Sequence, residues 1–283
     1  MTASFCQDTI LKLGISGYIA YNQHIKKISV ITPVYNGEKF INECLQSVAY
    51  SIKSDKFIVE HILVNDCSTD RSWGIIQSCN LPGVKSFRLE KNSGSSTARN
   101  FGVSQTDADL IFCLDQDDVL FQNSLKSLFE YMEERNTEWV YGDFLRVDKN
   151  LTYILGEDYY GHQFSHASEL LTAIFLGEHF FQQNSLYTKA LFEKCGRFDK
   201  DILTYQDLDL FIRFALDGVT PTYVPGPLYL HRLHGNNLSK VSGREGNLVA
   251  HKEDLKTLYA TYEKSLEKMV TTSQLKRIKM FLK

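Results

Sequence analysis

The segment DLIFCLDQDDVL, residues 109–120, runs from an almost wholly apolar stretch into three carboxylates, Asp115, Asp117 and Asp118. Crowded like charges raise one another's pKa unless a cation is shared among them. Carboxylates so spaced suit a divalent ion that prefers oxygen ligands. The simpler alternative is a solvated acidic turn that caps the helix after it. Three other polar segments also follow apolar runs: PVYNGE (33–38), NDCSTD (65–70) and KNSGSSTARN (91–100), the last carrying Arg99. Asn, Gly, Ser and Asp are ordinary turn residues, but ordinary turns do not explain an Arg among so many acids.

These segments are placed by an alternation of short apolar runs with helical periods, the pattern of a parallel sheet covered by helices. The strand candidates are residues 28–32, 60–66, 84–90, 109–115 and 137–144. Phe40, Ile41, Cys44, Leu45 and Val48 fall on one helical stripe, as do Leu125, Leu128, Phe129 and Met132. In such sheets ligands sit beyond the carboxyl ends of the strands, so the four polar loops are expected to converge on one rim.

After about residue 150 the alternation stops. Helices are expected in SELLTAIFLGE, TKALFEKCGRF and TYQDLDLFIRFALDG; Asp207 opens the last of these, with Leu208, Phe211, Ile212, Ala215 and Leu216 on its apolar face. TPTYVPGPLYLHRLHGNNLS reads as an extended, proline-marked segment ending in polar residues. From Asn247 helical spacing returns, closing on LKRIKMFLK, a basic amphipathic element. Such an element is more often a surface helix than a membrane contact, and peripheral contact is the alternative. The patch Ile10–Tyr21 is interrupted by Lys12 and reads as neither signal peptide nor membrane span. A net charge of −3 argues against a nucleic-acid partner. Six cysteines without a CxxC pair read as buried thiols in a reducing cytoplasm.

ISVITPVYNGEKFINECLQSV, HILVNDCSTDRS, NSGSSTARNFG, LIFCLDQDDVL, RFDKDILTYQDLDLFIRFALDG and PLYLHRLHGNNLS occur in an order and spacing that resembles family 2 glycosyltransferases. The resemblance covers about residues 27–239 and rests on six motifs in register. It implies the GT-A fold, an α/β architecture with a Rossmann-like, mostly parallel central sheet flanked by helices. Residues 1–26 would be an N-terminal extension, 27–239 the GT-A domain and 240–283 a helical C-terminal extension. The implied reaction is inverting transfer of one sugar from a UDP-sugar donor to a glycan or lipid-linked saccharide acceptor, as in bacterial polysaccharide biosynthesis in the cytoplasm.

The resemblance also implies roles. Pro33, Tyr35, Glu38, Asp66, Arg99, Asp115 and Gln116 would line the nucleotide site, with Asp66 accepting the uracil N3–H and Asp115 facing the ribose. Arg99 would face the phosphates or else pair with Asp115 for structure alone. Asp117 and Asp118 of the DXD-like element would reach Mn²⁺ or Mg²⁺. Asp207 matches the Asp of the family's ED motif and would be the general base, its alternative being a charge favouring the helix dipole. Gln206 stands where Glu is commoner and would alter acceptor contacts. Arg232 and His234 would meet the diphosphate, or His234 the metal, whereas His231 reads as structural. The QxxRW element and long membrane spans of processive members are missing, which implies one sugar per encounter. FCLDQDDVL also resembles the opening of haloacid-dehalogenase-like phosphatases, but Asp118 and Val119 stand where that family has Gly and Thr. A non-catalytic nucleotide-sugar-binding protein is the remaining alternative.

Overall fold

A computed structural model describes residues 25–51, 54–156, 161–178, 185–235, 237 and 248–283. The Ile10–Tyr21 patch and Cys6 lie outside them. The strands are β1 (Lys26–Val34), β2 (Phe57–Asn65), β3 (Val84–Arg88), β4 (Leu110–Cys113), β5 (Val119–Leu120), β6 (Trp139–Val147), β7 (Leu186–Thr188) and β8 (Thr222–Arg232). The helices are α1 (Ile41–Tyr50), α2 (Ser72–Gln77), α3 (Ser95–Ser104), α4 (Ser124–Arg135), α5 (Ala167–Phe175), α6 (Lys189–Lys194), α7 (Gln206–Leu216), α8 (Leu248–Met269) and α9 (Thr272–Leu282). Among the described residues the strands form one sheet in the order β3-β2-β1-β4-β7-β6-β8-β5.

The neighbours β3, β2, β1 and β4 are parallel, and so are β6 and β8; β7 and β5 run against their partners. The carboxyl ends of β1, β2, β3, β4, β6 and β8 therefore share one rim, as the alternation required. Both β1 and β2 are buried on two faces over most of their length, which is why their apolar runs are nearly continuous. On one side Ile28, Val30 and Val34 pack with Ile41, Cys44, Leu45 and Val48 of α1 and with Leu125, Leu128, Phe129 and Met132 of α4. On the other, Ile31, Ile62 and Val64 pack with Ala98 and Val103 of α3. Gly102 lets α3 lie this close, since a Cβ there would come within 2.7 Å of Ile31 Cγ2.

Helix α7 docks through Phe211 and Phe214 against Trp139 of β6, with ring centroids 4.9 and 5.4 Å apart. The prolines of β8 are absorbed by a bulge. Gly142 pairs with Val224 and Asp143 with Pro227, while the skipped Gly226 donates its N–H to Asp143 Oδ2 at 3.1 Å.

Several expectations need correction. α3 lay within a segment read as loop, because its Ser, Thr, Asn and Gly content hides the helix that Ala98 and Val103 anchor on the sheet. The three-residue β7 is too short to show a period. Of the described cysteines, Cys44 and Cys113 are buried, but Cys67, Cys79 and Cys195 are partly exposed. The tail, for which a surface helix was the first expectation and membrane contact the alternative, packs on the domain: Leu255, Leu258, Leu266, Val270, Ile278 and Leu282 share the core with α5 and α7. Lys279, expected on a basic face, is ion-paired with Glu263 and Glu267 at 3.0 and 3.3 Å. Among the described residues no helix is long and apolar enough to cross a membrane.

Candidate functional site

The rim loops are laced together by hydrogen bonds that make a single surface of segments distant in sequence. Tyr35 N–H donates to Gln116 Oε1 and Gln116 Nε2 donates to the Tyr35 carbonyl, each at 3.0 Å, joining the β1 loop to the DQDD turn. Gly37 permits this approach: a Cβ there would stand 2.1 Å from Gln116 Oε1. Asn36 Oδ1 accepts from Thr69 N–H at 2.8 Å, and Glu38 Oε2 accepts from Arg71 Nε at 3.1 Å, tying β1 to the loop after β2. The Asp66 carboxylate, 3% exposed, accepts Ser93 N–H and Gly94 N–H at 2.8 Å each and so anchors the loop into α3.

At the centre lies Arg99, carried on α3 and 4% exposed. Its guanidinium donates to Asp115 Oδ1 at 2.7 Å and to Gln206 Oε1 at 2.8 Å. One buried cation thus links the strand-end acid Asp115 to the first residue of α7. Gln206 also accepts from Ser95 Oγ at 2.9 Å and donates to the Leu203 carbonyl at 2.7 Å. Expected at an acceptor, the Gln206 amide is instead turned inward and holds the turn before α7 against α3.

Asp207 follows it and is partly exposed. Its Oδ1 accepts Leu208 N–H at 2.9 Å. Removal from water pushes its pKa above the ordinary Asp value; the Leu208 bond and the charge of Arg99 oppose the rise, and Asp115 adds to it. A carboxylate so raised is a better proton acceptor than a fully solvated Asp. Tyr205, just ahead of Gln206, sits in the left-handed region with φ 57°, which costs a residue with a Cβ about 1–2 kcal/mol.

The other acids divide their work. Asp117 Oδ2 lies 2.7 Å from His234 Nε2 and 3.4 Å from Asn237 Nδ2, and the His234 ring stacks on Phe40 at 4.6 Å. Asp118 is 3% exposed, and its Oδ1 accepts Arg232 N–H at 3.0 Å. It fastens the end of β8 instead of facing the rim beside Asp117. Arg232 lies deeper still. Expected at the diphosphate, it is 1% exposed, donates to the carbonyls of Asp117 at 2.7 Å and Lys149 at 2.9 Å, and pairs with Glu43 at 2.5 Å. It stacks over Phe40 and is a strut beneath the site. His231 is half-buried beside it, its pKa pushed down to about 4 by desolvation and then by the charge of Arg146.

Pro33 is buried in β1 beyond the last β1–β4 pair, Ile31 with Cys113, so its missing N–H leaves that ladder intact. The rim therefore brings together Tyr35, Asp115, Gln116, Asp117, His234 and Asp207, whereas Pro33, Asp118, Gln206 and Arg232 are buried beneath it and Glu38 is half-buried against Arg71. Ser95, Asn237, Glu43 and Tyr205 escaped the sequence reading because each acts through a partner far along the chain. Among the described residues no three His, Cys, Asp or Glu side chains gather closely enough to hold an ion unaided. A cavity of about 500 Å³ near Lys26, Asp109, Lys189 and Glu193 opens at the amino ends of β1 and β4, away from this chemistry.

Residues 29–196 match the family model described as glycosyl transferase family 2. Glycosyltransferase GlyG of Streptococcus pneumoniae is 29% identical over 138 residues, covering 47% of this chain and 45% of that protein. The minor teichoic acid biosynthesis protein GgaA of Bacillus subtilis is 28% identical over 197 residues, covering 64% and 42%. The chain thus spans less than half the length of these relatives. Staphylococcus aureus TarS 1–349, solved in complex with UDP-GlcNAc, superposes with a TM-score of 0.68 at 20% identity, covering 90% of this chain and 70% of that one, a likeness of fold. Because the family match extends over more than half of the residues and holds most of β1 and the whole DQDD turn, the chain belongs to glycosyl transferase family 2.

Proposed function

We propose that the protein is an inverting glycosyltransferase that moves one sugar from a UDP-sugar to a hydroxyl of a glycan or lipid-linked saccharide, with Asp207 as general base. The observation that carries this reading is the bridge Asp115–Arg99–Gln206, which holds a nucleotide-side acid and the base-bearing turn in one hydrogen-bonded unit. The acceptor oxygen attacks the anomeric carbon while its proton passes to Asp207, and the bond from that carbon to the diphosphate oxygen breaks. Tyr35, 44% exposed beside Gln116, offers a ring for the uracil. Each Asp66 oxygen keeps a second lone pair beyond those used by Ser93 and Gly94, so an N3–H could still be accepted. UDP-GlcNAc on TarS supports the donor class, and the name of GgaA supports a cell-wall glycopolymer as acceptor. The acceptor at a membrane surface would meet the tail through Met280 and Lys283, which remain exposed, rather than through the buried Ile278 and Leu282.

The donor set fits a divalent ion: Asp117 and His234 would hold Mn²⁺ or Mg²⁺ once diphosphate oxygens complete the shell. Bound there, the ion would offset charge on the departing UDP. Hydrolysis of UDP-sugars is expected to fall to background in excess EDTA and to fall likewise in Asp117→Asn; full activity in EDTA would remove the ion from this reading. UDP at a hundred times its Kd should add about 2.7 kcal/mol to stability. A thermal midpoint moved by GDP or dTDP but not by UDP would reassign the donor. UDP binding with no hydrolysis or transfer would mark a nucleotide-sugar-binding protein instead.

A further inference from the structure

We infer that α8 belongs to the catalytic apparatus, with His251 acting through Tyr205 as a positioning residue for Asp207. The inference rests on Asp207 being the base, as proposed above. Tyr205 is the N-cap of α7 and lies two residues before Asp207, yet its side chain makes no capping bond and its backbone is left-handed. A residue with a Cβ stays in that region only where its surroundings over-determine it. Here the constraint comes from α8: Tyr205 Oη lies 2.8 Å from His251 Nδ1, with ring centroids 5.4 Å apart.

His251 is itself wedged. Its other nitrogen faces Gly177 at the end of α5, where a Cβ would come within 3.4 Å of Nε2. A second tie runs from the same helix, as Tyr262 Oη donates to Asp209, a carboxylate 1% exposed that also pairs with Arg213. His251 and Tyr262 are about three turns apart and so share one face of α8. The turn carrying Asp207 is thereby gripped from two directions. Arg99 and Ser95 hold Gln206 from the α3 side, while His251 and Tyr262 hold Tyr205 and Asp209 from the C-terminal helix. Without the imidazole, Tyr205 is free to relax towards ordinary backbone angles, and the first turn of α7 rotates Asp207 off the line to the acceptor oxygen.

The test uses the full chain with a UDP-sugar and Mn²⁺. His251→Ala should lower kcat about 10- to 100-fold, the size expected for a misplaced reacting group, with the donor KM and the thermal shift caused by UDP unchanged. His251→Asn, which keeps a polar atom near the Nδ1 position, should recover most of the rate. Amide hydrogen exchange over residues 203–209 should quicken in His251→Ala with UDP bound. Wild-type kcat in His251→Ala, or unchanged exchange in that turn, overturns the inference. So does a joint loss of kcat, UDP shift and midpoint that Asn fails to rescue, which would make His251 ordinary packing. A wild-type protein that hydrolyses no nucleotide sugar overturns the glycosyltransferase reading and the catalytic role of His251 together; quickened exchange in His251→Ala would then show that the grip on the turn is real and that the function assigned to Asp207 is the part in error.

Discussion

Asp207→Asn should lower kcat by about 10²–10⁴-fold, the usual contribution of a positioned base, and leave UDP's stabilisation of the fold intact. The amide keeps the shape and can still accept from Leu208 N–H, so the loss isolates proton acceptance. Two further signs identify the carboxylate. The folded pKa of Asp207 is raised, chiefly by burial, so the acidic limb of the rate profile should lie above the ordinary Asp value, with activity falling as pH drops through it. The same shift sets a stability trend of opposite sense. A raised carboxyl pKa favours the folded state at pH below the unfolded value, and that advantage disappears as pH rises through the folded value. At neutral pH Asp207→Asn should therefore melt higher than wild type, with the gap closing on acidification. An Asn variant that keeps its rate, or one both slower and less stable at neutral pH, would leave Asp207 as a helix-end charge.

Arg232→Met should destabilise the fold by about 3 kcal/mol, the low end of what breaking a buried ion pair costs because Glu43 is 48% exposed. Met retains much of the aliphatic volume beside Phe40 but removes the donors that satisfy the carbonyls of Asp117 and Lys149. Unpaired buried acceptors carry their own desolvation penalty. The thermal midpoint should fall by roughly 5–10 °C in a chain of this size. UDP affinity should change little once the protein is folded. If Arg232 met the diphosphate instead, the midpoint would hold and donor binding would fall, so one melting curve with and without UDP separates the two roles.

The elements that build the rim were legible because their signals are local. β1 and β2 are nearly continuous apolar runs, the stripes of α1 and α4 hold one face each, and the start of α7 at TYQDLDLFIRF follows from its 3.6-residue period. The convergence of the polar loops followed from parallel strands alone, since their carboxyl ends must share an edge. α3 failed to show because its residues are weak helix formers that the sheet holds in place, and β7 because three residues carry no period.

Which way the site residues face was decided only in three dimensions. Arg99 meets Gln206 across 107 positions, and Arg232 meets the Asp117 carbonyl across 115. A motif states that an Arg, a Gln or an Asp is present; whether its polar atoms look outward to a ligand or inward to a carbonyl depends on groups that folding brings alongside. Arg232 closes a strand whose end is capped by Asp118, so its guanidinium runs under the rim. Gln206 begins a helix whose first residue meets α3, so its amide oxygen accepts from Ser95 and Arg99. The chemistry available at the rim was written in residue type, and which groups point outward and which turn inward was set by folding, because a buried donor must find its acceptor within the protein.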